Sequence, residues 1–297
     1  MRGPLARVCT TTTGDRILSL TITLLVLLAA LLHAVWNALV KSNGDRLSMM
    51  AFVAGSGSLM MVPLLFFTPV PSWEVWKIIL LSLALHTGYK VFLVNAYTHG
   101  DFGQVYPLAR GVAPAIVTLI GFLFLGEQLP LLATLGIVLI LAGVISLAWR
   151  PKNGTQAPTN PHAIFYALGT SCFIASYTLN DGLGGRVAPS PSQYIIWLFA
   201  LDGISIVAIA LWRRGAALLR PQHAWAYGAA GGLASIIAYW LVIWAMSITP
   251  LGPVAALRET SVVFGALISG FILKEGLGWR AVAAAATVAT GVILLKL

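Results

Sequence analysis

Apolar residues run along this chain in blocks from Ile17 to the last residue, separated only by short polar breaks. Each block is about 20 residues long, enough at roughly 1.5 Å per residue to cross the ~30 Å hydrocarbon core of a bilayer. The blocks are continuously apolar and do not alternate in and out over about ten residues, which predicts helices and not barrel strands. Ten spans follow, at 18–40, 46–67, 74–97, 103–125, 129–149, 163–184, 192–212, 223–247, 251–273 and 277–296.

The one long hydrophilic connection, "RPKNGTQAPTNPH" at 150–162, separates two sets of five spans. Sliding the second half back by 148 positions pairs Arg110 with Arg258, Glu127 with Glu275 and Gly143 with Gly291, and 11 of 38 positions match between 110–147 and 258–295. Apolar composition inflates such a count, so the matched Arg, Glu and Gly carry the repeat. With five spans per copy, the second copy enters the membrane in the opposite sense to the first. The expected fold is an all-α integral membrane protein of ten transmembrane helices in two inverted five-helix repeats. It comprises a basic tail at 1–16, a first repeat at 17–149, the polar linker at 150–162 and a second repeat at 163–297. Inverted repeats recur in secondary transporters, where similar halves exchange conformations and open a central site to alternate sides.

Composition agrees with this reading. The chain is 59% hydrophobic and 9% charged, against roughly 25% charged in an ordinary soluble domain, with a mean hydropathy of +0.89. The net charge of +9 is scattered through loops and spans and forms no basic face with interleaved aromatics, which excludes a nucleic-acid partner. Cys9 and Cys172 have neither metal-ligand spacing nor a disulfide framework, and no metal or cofactor is expected. The basic N-terminus resembles a secretory signal, but the apolar stretch lacks a small-x-small cleavage site, so a retained first span is expected. "NGT" at Asn153 is a sequon by chance in a polar linker. Loop charges, six Lys or Arg on the side of the termini against nine on the other, lean away from cytoplasmic termini and leave the orientation open.

Five charges fall within the spans: Lys90, Arg110, Asp202, Arg258 and Glu259. At about 2.5–3.5 kcal/mol each in a lipid-facing helix centre, they must face protein or water. Arg110 and Arg258 lie about 10 Å inside their spans, and inversion is expected to set them on either side of the midplane. Arg258 and Glu259 are about 100° apart around a continuous helix, so each is expected to meet a partner on another helix. The arginine is expected to line a cavity. The glutamate either locks a neighbouring helix or, desolvated, takes a proton.

Two polar stripes join these charges. His33, Asn37 and Lys41 share one face of the first span with Trp36 alongside, and Ser82, His86 and Lys90 repeat the spacing in the third with Tyr89 adjacent. Lys41 either lines the cavity or snorkels to the interface. Pro107 and Pro114 flank Arg110 and loosen the fourth span. In the eighth, Tyr239, Trp240 and Trp244 offer stacking surfaces or pack. The candidate substrate-binding set is His33, Trp36, Asn37, His86, Tyr89, Lys90, Arg110, Tyr239, Arg258 and Glu259, with no catalytic residue. Glu127 and Glu275 stand at helix junctions, as caps for the helix that follows each.

"HAVWN" in the first span, "PLARGVAP" followed by "GEQL", and "ALRETSVVF" followed by "KEGL" resemble the EamA family of the drug/metabolite transporter superfamily over roughly 18–297. The resemblance implies a central cavity between inverted five-helix repeats and movement of small metabolites, often outward, across bacterial inner membranes. "ALRETSVVF" is also similar to a branch associated with phosphonate utilisation. Small multidrug members of the superfamily use a Glu in the first helix, where this chain has His33, Asn37 and Lys41, so their carboxylate mechanism does not transfer.

The expected function is transport, by alternating access, of an amino-acid-like solute that is zwitterionic or anionic, since the five embedded charges sum to +1. Partners are the solute and membrane lipids, with protons a candidate coupling ion; the oligomeric state is open and a monomer is allowed. The rival is a polytopic enzyme acting on lipid with His33, His86 or Asp202 as acid or base, but HExxH, GxSxG and P-loop patterns are absent from the sequence. Buried charge stripes argue against a scaffold, and the repeats favour alternating access over an open pore.

Overall fold

The polar breaks in the sequence become helix caps. Asp45 accepts from the backbone N–H of Ser48 at 3.3 Å, Asn160 from that of His162 at 2.9 Å and Ser190 from that of Gln193 at 3.1 Å, satisfying donors that a helix start leaves orphaned. Pro161 and Pro191 follow two of these caps, where the missing N–H matters least. The computed structural model describes residues 18–42, 45–100, 102–148, 160–219, 224–271 and 279–296. The tail at 1–16, Cys9, Asn153, most of the linker and Glu275 lie outside the described residues, as does the side chain of Lys41.

The helices are α1 (Leu20–Ser42), α2 (Arg46–Leu65), α3 (Trp73–His99), α4 (Phe102–Gly111), α5 (Ala113–Phe124), α6 (Leu131–Ala148), α7 (Pro161–Val187), α8 (Pro191–Arg214), α9 (Ala224–Ile248), α10 (Leu251–Arg258), α11 (Ser261–Phe271) and α12 (Trp279–Lys296). A 3-10 turn at Gly215–Leu219 follows α8, and no strand occurs among the described residues. Six segments are long and apolar enough to cross a membrane, and shorter apolar helices fill 108–124, 131–146 and 282–295. The protein is an integral membrane protein. Its outward side chains are apolar, with Phe66, Phe67 and Phe124 each more than three-quarters exposed, while His33, Ser82, Arg258 and Glu259 are sealed inside. That inside-out distribution suits lipid, where apolar surface is at no disadvantage.

The fourth and ninth expected spans are each broken in two. α4 gives way to α5 at Val112, and α10 to α11 at Glu259 and Thr260. Pro114 explains the first break, since it has no N–H to donate to the preceding turn and suits the first turn of a new helix. The two breaks coincide under the 148-residue repeat, so each half interrupts its fourth span at the residues just after its arginine.

Glycines let helices from the two halves meet backbone to backbone. A Cβ on Gly136 would stand 2.6 Å from the carbonyl oxygen of Gly291, and one on Gly143 would stand 3.0 Å from that of Ala284. Moving up α6 from 136 to 143 thus moves down α12 from 291 to 284, and adding 148 to the first pair of numbers gives the second pair. α6 and α12 are antiparallel, and the repeat maps their interface onto itself. α3 and α7 are antiparallel too, with Gly88 on Phe173 and Gly169 on Phe92, as are α2 and α8, whose Ser58 hydroxyl donates to the carbonyl of Phe199 at 2.7 Å and accepts from the N–H of Gly203 at 2.8 Å. α2 and α9 run parallel, with Phe52 beside Gly228 and Gly57 beside Gly232.

Candidate functional site

The broken helices deliver their arginines to one carboxylate. α10 ends at Arg258, yet Glu259 keeps near-helical backbone angles, φ −73° and ψ −6°, and the adjacent side chains still meet: Arg258 Nε donates to Glu259 Oε1 at 3.2 Å. From the end of α4, Arg110 Nε donates to the other oxygen, Oε2, at 2.9 Å. This corrects the expectation that Arg258 and Glu259 would not face each other, while each also has the expected partner on another helix, Arg110 for Glu259 and Thr178 for Arg258. All three side chains are at most 2% exposed, and the trio carries a net charge of +1. Arg258 also donates from Nη2 to Thr178 at 3.2 Å and lies 6.0 Å from the Tyr177 ring centre, while Arg110 lies 5.7 Å from that of Tyr106. Arg110 Nη2 is buried with no hydrogen-bond partner.

A second charged cluster lies beyond Tyr177. On α3, the stripe Ser82, His86 and Lys90 faces two carboxylates from the second half, Asp181 of α7 and Asp202 of α8. His86 Nε2 is 2.9 Å from Asp181 Oδ2, and Nδ1 is 3.2 Å from Asp202 Oδ1. Lys90 Nζ is 2.5 Å from Asp202 Oδ2 and donates to that residue's carbonyl oxygen at 3.0 Å. Asp181 Oδ1 accepts from the hydroxyls of Ser82 and, at 2.8 Å, Tyr194. Asp202 Oδ1 is within ion-pair distance of His86, but no donor is aligned on it for a hydrogen bond. The rings of His86 and Tyr177 are 4.5 Å apart, and Tyr239 donates its hydroxyl to Tyr177 at 2.9 Å. Tyr177 therefore touches both clusters.

The sequence matches the EamA-like transporter family over residues 20–149 and again over 162–297. The chain belongs to the EamA-like transporter family. No curated protein matches it. A solved structure titled only "Crystal structure of protein" is 18% identical, with a TM-score of 0.72 over 93% of this chain and 98% of that one, a likeness that shows the fold alone. The family accounts for both halves of this EamA-like protein and makes it a membrane transporter of the drug/metabolite type.

In this transporter a cavity of about 30 Å³ lies next to the second cluster, and its wall includes Trp36, His86, Tyr89, Lys90 and Tyr239 of the candidate set. Asp202, Phe199 and Ser235 complete its polar and aromatic lining. His33 and Asn37 stand outside that wall and bond locally: His33 Nδ1 accepts from Trp36 Nε1 at 2.9 Å, and Asn37 donates to the His33 carbonyl at 2.8 Å and accepts from Tyr97 at 3.2 Å. Arg110, Arg258 and Glu259 are likewise outside it, buried in their own cluster.

Asp181 and Tyr177 are additions to the sequence-derived set. Asp181 falls inside the sixth expected span, three residues before its end, in "NDGLGG", and belongs with the embedded charges. The helix continues to Val187, and Thr170, Ile174, Thr178 and Asp181 share its buried side at helical spacing. With Asp181 included, the count of five embedded charges was short by one carboxylate. Glu127 is a cap, but for another helix than expected: it accepts from the backbone N–H of Leu251 at 2.8 Å, at the start of α10 in the other half, and lies 3.5 Å from Arg186. A glycine turn at Gly126, with φ of +68°, aims it there.

Proposed function

We propose that this transporter carries a small amino-acid-like zwitterion, outward across a bacterial inner membrane, by alternating access between two inverted five-span halves. The observation that carries the reading is a pair of buried, unmatched groups near Tyr177. Arg110 Nη2 is a donor without an acceptor, and Asp202 Oδ1 is an acceptor without an aligned donor. Buried polar groups are nearly always satisfied, so such orphans mark places where a ligand completes the network. A carboxylate suits the guanidinium, and an ammonium suits the aspartate. Tyr177 joins the two clusters, its ring centre 4.5 Å from that of His86 and 6.0 Å from Arg258 Cζ.

The antiparallel pairings of α6 with α12, α3 with α7 and α2 with α8, and the parallel pairing of α2 with α9, are those that an axis in the membrane plane would generate. The small volume of the cavity, about 30 Å³, has space for little more than a water molecule, so a solute requires the halves to part. Alternation between such partings supplies the transport cycle.

The test is efflux from proteoliposomes loaded with leucine, phenylalanine, serine or threonine, beside the methyl ester and the N-acetyl derivative of each. The expected result is flux of one or more free amino acids, slowed at least about tenfold when either charge is blocked, and lost in Arg110→Met and Asp202→Asn proteins that still fold. Equal rates for the free and blocked compounds would rule out the zwitterion. Turnover of a solute without flux would favour an enzyme.

A further inference from the structure

We infer that His86 holds a proton that is exchanged for the solute's ammonium group, so that each zwitterion moving one way returns one proton the other way; this rests on the zwitterion reading above. His86 is 2% exposed, and each ring nitrogen faces a different carboxylate, at 2.9 and 3.2 Å. An ionised carboxylate only accepts, and a neutral imidazole has one N–H. The Asp181 contact takes the neutral ring's one N–H; at Asp202 Oδ1 no N–H is aligned, but a bare Nδ1 lone pair 3.2 Å from a carboxylate oxygen is repulsive, which one further proton, on the ring or on one carboxyl, relieves.

The surroundings fix the count. Facing His86 are Ser82 and Lys90 from its own helix, Asp181 and Tyr177 from α7, Asp202 from α8 and Tyr239 from α9 at 5.7 Å between rings. Tyr194 of α8 reaches the cluster through Asp181, and His33 of α1 stands behind Tyr239 at 5.0 Å. Lys90 is committed to Asp202 by two contacts, so His86 is the cation at Asp181 among the described residues. Within this cluster two carboxylates and Lys90 sum to −1, and although the Arg110, Arg258 and Glu259 trio beyond Tyr177 carries +1, one more positive charge neutralises the cluster locally. The proton on His86 supplies it in the solute-free state. An ammonium docking at Asp202 Oδ1 makes that proton surplus, and its departure calls the proton back.

The exchange balances as acid–base chemistry. The N–H bond of the imidazolium breaks, its electron pair stays on nitrogen, and the proton passes to water on whichever side is open; the reverse step takes a proton from water on the other side. His86 also ties α3 of the first half to α7 and α8 of the second, so the charge that changes sits on the seam where the halves must part.

The experiment uses wild-type proteoliposomes and the fastest-carried of the four amino acids above. At zero membrane potential, an about tenfold proton gradient should sustain an about tenfold solute gradient, with solute gathering on the acidic side, because one-for-one exchange equates the two chemical potentials. A lumenal pH dye should report one proton per solute. In His86→Gln the solute gradient should collapse to about one, whatever rate remains. Wild-type solute that equalises across the membrane regardless of pH overturns the exchange and leaves the zwitterion reading standing. A His86→Gln protein that still sustains the full gradient also overturns it, and if that variant does not fold the wild-type gradient decides alone. Flux of none of the four amino acids sinks the zwitterion reading and this inference together.

Discussion

Replacing Glu259 by Gln isolates the energetics at the centre of the molecule. The side chain is 0% exposed and is the counter-ion shared by Arg110 at 2.9 Å and Arg258 at 3.2 Å. Glutamine keeps the shape but removes the charge, and its amide nitrogen turns donors towards a guanidinium that also only donates. Removing one partner of a buried ion pair is destabilising by about 3–5 kcal/mol, because the remaining charge stays desolvated. Here two guanidinia lose the same partner and face one another uncompensated, so about 3–5 kcal/mol is the lower bound, a large part of a typical total of roughly 5–15 kcal/mol. The assay is unfolding in mixed micelles titrated with dodecyl sulfate, followed by the fluorescence of the chain's ten tryptophans. The double variant Glu259→Gln, Arg258→Gln removes one stranded cation and should recover at least about 1 kcal/mol, giving a coupling free energy of opposite sign to the single losses. A single variant within about 1 kcal/mol of wild type, or a double variant no better than the single, would refute the claim that Glu259 neutralises both arginines.

Gly136→Ala should destabilise by about 1–3 kcal/mol although alanine is the better helix former, because the new Cβ falls 2.6 Å from the Gly291 carbonyl and 2.8 Å from the Leu295 nitrogen, both backbone. Gly265→Ala meets only the Tyr106 ring at 3.4 Å and should be neutral or stabilising in the same melt. At the membrane edge, the Arg214 hydrogen bonds to Asp45 hold its carboxyl down to about 2, aided by Ser48. Since the folded state lowers this pKa, the contribution is complete above an unfolded carboxylate's ~3.9 and is lost as pH falls through about 2. Both side chains are more than a third exposed, so Asp45→Asn should cost at most about 1 kcal/mol at pH 7, less in high salt, and nothing near pH 2; a loss that persists in acid would assign the effect to the cap on Ser48 instead.

Much of the membrane architecture was already written in one dimension. Spans follow from runs of about twenty apolar residues, a property of each segment that needs no partner. The repeat followed from Arg110, Glu127 and Gly143 recurring 148 positions later, and the stripe of Ser82, His86 and Lys90 followed from helical spacing; all three of those residues meet the second cluster. What failed was geometry between side chains. Positions about 100° apart on a helix suggested that Arg258 and Glu259 would not face each other, but their long side chains converge, and Asp181, inside the expected sixth span, finds its partners on α3 and α8.

The amino-acid sequence alone determined that this chain lives in a bilayer, folds as helices and repeats itself, because burial of apolar runs and closure of backbone hydrogen bonds are local demands. Only the tertiary structure decided which charges neutralise which. Ion pairing joins residues as much as 169 apart in sequence, and across the centre of the molecule it is set by two helix breaks and by glycines that let backbones touch. No spacing along one strand of text encodes the distance between Arg110 and Glu259, or the choice of Asp181 and Asp202 as the two faces of His86.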